Sequence, residues 1–93
     1  MRAMYCGSVI AESDDAIQLE GHHYFPLDSV NAGVLTRTRG KSLCFWKGVA
    51  SYYDVTVDGR TARRAAWEYR HPSPLARRIK HRVAFWGDVL VTE

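Results

Sequence analysis

The sequence predicts a mainly β fold: one small domain of about seven short antiparallel strands, barrel- or sandwich-like, with one short helix near residues 74–80. Three observations predict it. From Val49 onward the residues alternate, with Val49, Ser51, Tyr53, Val55 and Val57 on one face and Ala50, Tyr52, Asp54, Thr56 and Asp58 on the other. Turn residues recur at short intervals, as Ser13-Asp14-Asp15, Asp58-Gly59 and Gly87-Asp88. A helical start signal followed by one apolar face occurs once with clarity, at Ser73-Pro74.

Taken in order, Met4–Ala11 reads as a strand that Gly7 splits by a bulge or short turn. Ser13–Asp15 is expected to close the first hairpin onto Ala16–Glu20, where Ile17 and Leu19 point inward. Gly21 breaks that run, His22–Phe25 is extended again, and Pro26 ends it. Pro26–Val30 suits a single helical turn. Asn31–Ser42, with two glycines, two threonines and three basic residues, reads as a loop holding at most a short strand at Val34–Arg37. Leu43–Val57 is the long strand region, with a kink expected at Lys47-Gly48. Asp58-Gly59 demands positive φ and returns the chain as a partner. That partner is a strand at Ala66–Arg70, with a helix over Thr61–Tyr69 as the alternative, because Ala, Arg and Glu form helices well. Ser73 is expected to cap a helix beginning at Pro74, with Leu75, Ala76 and Ile79 on one side. Val83–Trp86 and Val89–Val91 are the last strands, the latter free to pair within the domain or with a second copy.

At 93 residues the chain makes one domain, with a core modest in size but sufficient without disulfides or metal. Apolar residues make up 46% and charged residues 25%, proportions of a globular and not a disordered chain. No apolar run approaches the roughly 20 residues that span a bilayer, and the N-terminus lacks the apolar core of a signal peptide. A cytoplasmic location without membrane contact is therefore expected. Cys6 and Cys44 are too few for a metal motif and read as two reduced, buried or half-buried thiols. No cofactor motif is read. The net charge of +3 is carried in the second half by Arg60, Arg63, Arg64, Arg70, Arg77, Arg78, Lys80 and Arg82. These residues are scattered over loop, strand and helix positions, which favours a solvated surface over a nucleic-acid face.

The stretch Cys44-Phe45-Trp46-Lys47-Gly48-Val49-Ala50-Ser51-Tyr52-Tyr53-Asp54-Val55 resembles the Cys-Pro-Tyr-Lys-Gly-x-Ala-x-Tyr-Tyr-x-Val core of the family called domain of unknown function 427. Gly7–Ser13, Tyr24-Phe25-Pro26, Ala65–Tyr69 followed by Pro72, and Val83–Trp86 resemble further segments of that family in the same order. Two positions depart from its pattern: Phe45 replaces a proline, and Ser29 stands where an acidic residue is usual. The resemblance implies a small, mostly β domain. The family also carries an old nucleotidyltransferase label. These residues offer it neither a Gly-rich phosphate loop nor a close pair of metal-binding carboxylates, since the adjacent Asp14 and Asp15 point apart.

Lys47 is the first candidate for function. A lysine between an aromatic run and a glycine at a strand break can present its ammonium into a cleft, to hold an anion or to act as a nucleophile. Packed along Trp46 with its head in water, it would be ordinary surface. Tyr24, Tyr53, Trp67 and Tyr69 join it as candidate ligand-binding residues, aromatic rings with polar tips that equally suit a core. Cys44 is a candidate nucleophile if a turn brings Lys47 beside it, with His22 or His23 as a base. His71 and His81 are expected in solvent. The reading favoured is a domain that binds a polar or anionic small molecule near Lys47. Its rivals are an enzyme with a Cys44 or Lys47 nucleophile, and a nucleic-acid-binding module using the basic second half. The oligomeric state is left open.

Overall fold

Residues 1–93 are described by a computed structural model, in which nine strands form two antiparallel sheets. They are β1 (Arg2–Tyr5), β2 (Ser8–Glu12), β3 (Ile17–Leu19), β4 (His22–Pro26), β5 (Leu35–Cys44), β6 (Gly48–Val57), β7 (Arg60–Tyr69), β8 (Arg82–Phe85) and β9 (Leu90–Thr92). The smaller sheet has the order β2-β1-β9, and the larger the order β3-β4-β8-β7-β6-β5. No helix is long and apolar enough to cross a membrane. The last strand pairs with β1 inside the domain.

Three tight hairpins set this register. Cys6-Gly7, Glu20-Gly21 and Asp58-Gly59 each join paired strands through two residues, and all six have φ between 50° and 80°. Positive φ at both central positions matches the right-handed twist of the flanking strands. The hairpin expected at Ser13–Asp15 does not form. The glycine turns close first, so β2 pairs back with β1 and β3 pairs forward with β4. Ser13–Asp15 becomes the crossover between the sheets, with Asp15 salt-bridged to Arg82 at 2.9 Å.

Of the loop expected at Asn31–Ser42 only residues 31–34 are irregular, since β5 begins at Leu35 and runs ten residues along the edge of the larger sheet. Its polarity is that of an edge strand, where basic side chains discourage pairing with other chains. A bulge between Arg37 and Lys41 is held by Thr38, whose Oγ1 donates to the Tyr52 carbonyl at 2.9 Å. The helix-forming residues of Arg60–Tyr69 are a full strand, because β6 and β8 both pair with them.

Adjacent residues on these strands face opposite ways, and residues opposed across a ladder share a face. Tyr53, Val55, Ala66, Val83 and Phe85 meet Ala3, Tyr5, Ile10 and Ala11 of the smaller sheet in the larger core cluster. The other face carries Tyr24, Ala50, Trp67, Tyr69 and Ala84, covered by Ala76 and Ile79. Those two covering residues come from the segment Pro74–Ile79, which is a 3-10 helix kinked at Ala76 and not a two-turn α-helix. Six residues are too few to sustain α-helical hydrogen bonding in isolation. Both cysteines are free; Cys6 is exposed and not buried, because it occupies the first turn, while Cys44 is half-buried.

Candidate functional site

The aromatic face of the larger sheet has a cavity of about 270 Å³. Register explains its walls. Tyr52, Trp67 and Ala84 lie in one row across β6, β7 and β8, and Ala50 with Tyr69 in the next. Tyr24 on β4 reaches the same face, where its hydroxyl accepts from Trp67 Nε1 at 3.2 Å. His22 packs edge-on against Trp67 with ring centroids 4.8 Å apart, and Trp86 does so at 6.1 Å. Edge-to-face contacts place the positive rim of one ring on the negative face of the next, which fixes the rings' orientation.

Lys47 enters this cavity from the turn between β5 and β6 and is only 6% exposed. Its position follows from the backbone on either side. Gly48 has φ +118°, outside the small left-handed region that other residues use. Ser73 then clamps the turn: its amide donates to the Lys47 carbonyl at 2.8 Å, and its hydroxyl donates to the Trp46 carbonyl. Ser73 therefore makes no side-chain cap on the helix that follows, contrary to expectation. The ammonium of Lys47 is salt-bridged to Glu20 and lies 5.0 Å from the Trp46 ring centroid and 5.7 Å from that of Tyr69. Glu20 sits on the two-residue turn after β3 with its side chain half-exposed, and its second oxygen accepts from Trp46 Nε1 at 3.2 Å.

The charges respond to this arrangement. Burial works to lower the Lys47 pKa, but Glu20 and the Cys44 thiol outweigh it and hold the ammonium above its ordinary value. A lysine nucleophile is favoured by the opposite shift. The Lys47 ammonium, helped by the Trp46 indole, lowers the Glu20 carboxyl. Burial pushes the Tyr69 phenol up to about 12 and raises Tyr24 as well. Cys44 moves down: hydrogen bonds from the Trp46 and Lys47 amides and from the Lys47 ammonium outweigh its partial burial.

Of the residues named from the sequence, Lys47, Tyr24, Trp67 and Tyr69 line the cavity together. Tyr53 does not. It lies opposite Arg37 and Ala66 on the other face, where its hydroxyl donates to the buried Glu68 at 2.5 Å. The even period of a strand separates it from its neighbour Tyr52, which does line the cavity. Cys44 is not among the lining residues, though its thiol meets the Lys47 ammonium, while His22 lines the cavity against Trp67. Glu20, Tyr52 and Trp86 also line the cavity, and neither Glu20 nor Trp86 is singled out by the sequence. Tyr52 was legible, since alternation puts it on the face of Ala50; Glu20 depended on an unforeseen pairing of β3 with β4. His71 and His81 are exposed. No group of three or more His, Cys, Asp or Glu side chains is placed to hold a metal ion.

A family model described as domain of unknown function (DUF427) matches residues 1–92 of the chain. No curated protein matches it at a significant level.

Proposed function

The chain belongs to the domain of unknown function 427 family, and we propose that this member binds a small polar or anionic molecule in the aromatic cavity over Lys47. One observation carries the reading. A buried ammonium, held charged, faces a cavity, and its only carboxylate partner stands half in water on a turn. An incoming carboxylate or phosphate can take the place of Glu20 on Lys47. The local charge balance is then kept, and the released Glu20 carboxylate returns to solvent. Trp67, Tyr24 and Tyr69 offer ring faces and edges to a flat or sugar-like ring, and Trp86, about half-exposed, stands at the rim. The volume of about 270 Å³ lies just below the usual span of small-molecule sites, which begins near 300 Å³, and so fits a single ring with one anionic substituent.

The experiment is a thermal-shift screen against single-ring organic acids, sugar phosphates and nucleotides, repeated on Lys47→Met and Trp67→Ala. A ligand at about 100 times its Kd stabilises the native state by about 2.7 kcal/mol, an unmistakable rise in Tm. The reading predicts a hit in the wild type that both variants lose. A flat screen on folded protein, or a hit indifferent to both substitutions, overturns it.

A second reading rests on Cys44, whose thiol meets two amides and an ammonium that favour the thiolate. It gives a covalent enzyme in which the Cys44 thiolate adds to a substrate carbonyl carbon, the C=O π pair passes to the oxygen, and Lys47 steadies the negative charge formed there. A cysteine-reactive probe that labels Cys44 no faster than exposed Cys6 at neutral pH removes this reading.

A further inference from the structure

The opposite face of the larger sheet carries a second feature, beyond the area covered by β1, β2 and β9. Register puts Lys41, Ser51 and Glu68 in one row across β5, β6 and β7, and Arg37, Tyr53 and Ala66 in the next. Two hollows lie along this face, and a third adjoins them at the end of the sheet, where the residues before β8 and after β4 meet. The central one, about 290 Å³, has Arg37 and Arg70 around the Tyr53–Glu68 pair. It shares Arg70 and His71 with a hollow of about 400 Å³ that reaches Lys41. On its other side it shares Leu27, Lys80 and His81 with one of about 540 Å³ that ends on Asp28 and Arg82.

We infer that this continuous basic groove binds the phosphate backbone of a nucleic acid. Arg37, Lys41, Arg70 and Lys80 all line it, and none of them forms a salt bridge. Two carboxyl groups oppose them. Glu68 is 4% exposed and one of its oxygens already accepts from Tyr53, while Asp28 sits at the far end. Four unpaired cations spaced over three linked hollows suit a chain of phosphates better than one. Tyr53 is buried and its hydroxyl is engaged, so the exposed aromatic rings lining the groove are the imidazoles of His71 and His81 alone. The four cations make the main contact one to the backbone, which positions a strand without reading its sequence. The linear sequence hides the groove because Arg37 and Lys41 come from β5, Arg70 follows β7 and Lys80 precedes β8.

The test is fluorescence anisotropy with a labelled oligothymidylate of about 15 nucleotides at about 50 mM salt, followed by a salt titration. Four phosphate contacts give a slope of log K against log salt of about −3. The double variant Arg70→Ala/Lys80→Ala is expected to weaken binding at least tenfold and to flatten that slope by 1 to 2, about one per lost phosphate contact. Arg77→Ala/Arg78→Ala removes the same charge from the 3-10 helix, outside all three hollows, and is expected to leave affinity within about twofold. No binding at low salt overturns the inference. So does equal weakening by both double variants, which marks diffuse attraction to a basic protein. Competition by dextran sulfate as strong as by unlabelled oligonucleotide, at equal charge, also overturns it.

Discussion

Gly48→Ala tests how the backbone sets the candidate site. The residue has φ +118°, and a Cβ built there lies 3.2 Å from the His71 carbonyl oxygen and 3.6 Å from Pro72 Cα. Both atoms are backbone, so they cannot swing aside as a side-chain tip would. Gly59 is the internal reference: its φ is +77° and nothing lies within 4 Å of its Cβ position. Gly59→Ala therefore costs only the left-handed conformation, about 1 kcal/mol. Gly48→Ala adds a more forbidden φ and displacement of the His71–Ser73 clamp, for about 2–3 kcal/mol in all. In a domain of this size each kcal/mol lowers Tm by about 4–8 °C, so the reference loses about 4–8 °C and Gly48→Ala about 10–20 °C. Thermal melts by circular dichroism read both. Equal losses, or a Gly48→Ala Tm within about 3 °C of wild type, refute the claim that this close approach orders the turn.

Tyr53→Phe leaves the buried Glu68 oxygen without its donor, and about 1–3 kcal/mol of stability is expected to go in denaturant unfolding, with m unchanged. The Glu20 carboxyl is depressed in the folded protein, so its contribution is complete above the ordinary value of 4.5 and is lost as pH falls through the lower folded value. Glu20→Gln should accordingly flatten the decline in Tm with acid over that window, and an unaltered decline contradicts the pairing with Lys47. Alkylation of Cys44 is expected to titrate at a lower pH than an ordinary thiol, and Lys47→Met to move its midpoint upward. A midpoint indifferent to Lys47 contradicts the proposed neighbourhood.

Particular residues show what the sequence made legible. Alternation in Val49–Val57 and the Asp58-Gly59 turn are local signals, and β6, its hairpin and the strand character of the domain follow from them. The four cavity residues named beforehand, Lys47, Tyr24, Trp67 and Tyr69, were marked by type, as aromatic or cationic residues in apolar surroundings. Tyr53 falls outside the cavity because the period of two assigns it to a face, and only the β6–β7 register, which the sequence does not show, tells which face Trp67 shares. Asp58-Gly59 is a strong turn signal and Glu20-Gly21 a weaker one, yet it is the Glu20-Gly21 turn that pairs β3 with β4 and brings Glu20 to Lys47. The strand β5 was missed for a reason in its physics. An edge strand needs no apolar alternation, since its hydrogen bonds come from one neighbour and its side chains are selected to stay polar. Pro74 signals a helix start without distinguishing α from 3-10, and the short length of the run decides the type.

The two faces of the larger sheet divide adjacent residues between them: Tyr52 and Trp67 line the cavity, while Tyr53 and Glu68 lie under the basic groove. The cavity and the three hollows have no lining residue in common, so a side-chain truncation on one face should leave the other intact. Gly48 is the exception. It lines the groove beside Lys41 and also holds the turn that buries Lys47. Trp67→Ala is thus expected to abolish the small-molecule thermal shift and keep oligonucleotide affinity within about twofold, and Arg70→Ala to weaken oligonucleotide binding at least about threefold and leave the thermal shift intact. Gly48→Ala, measured well below its Tm, should reduce both together. Loss of both activities in Trp67→Ala while the protein remains folded would mean that the two faces are one site, and the separation argued from strand register would fall.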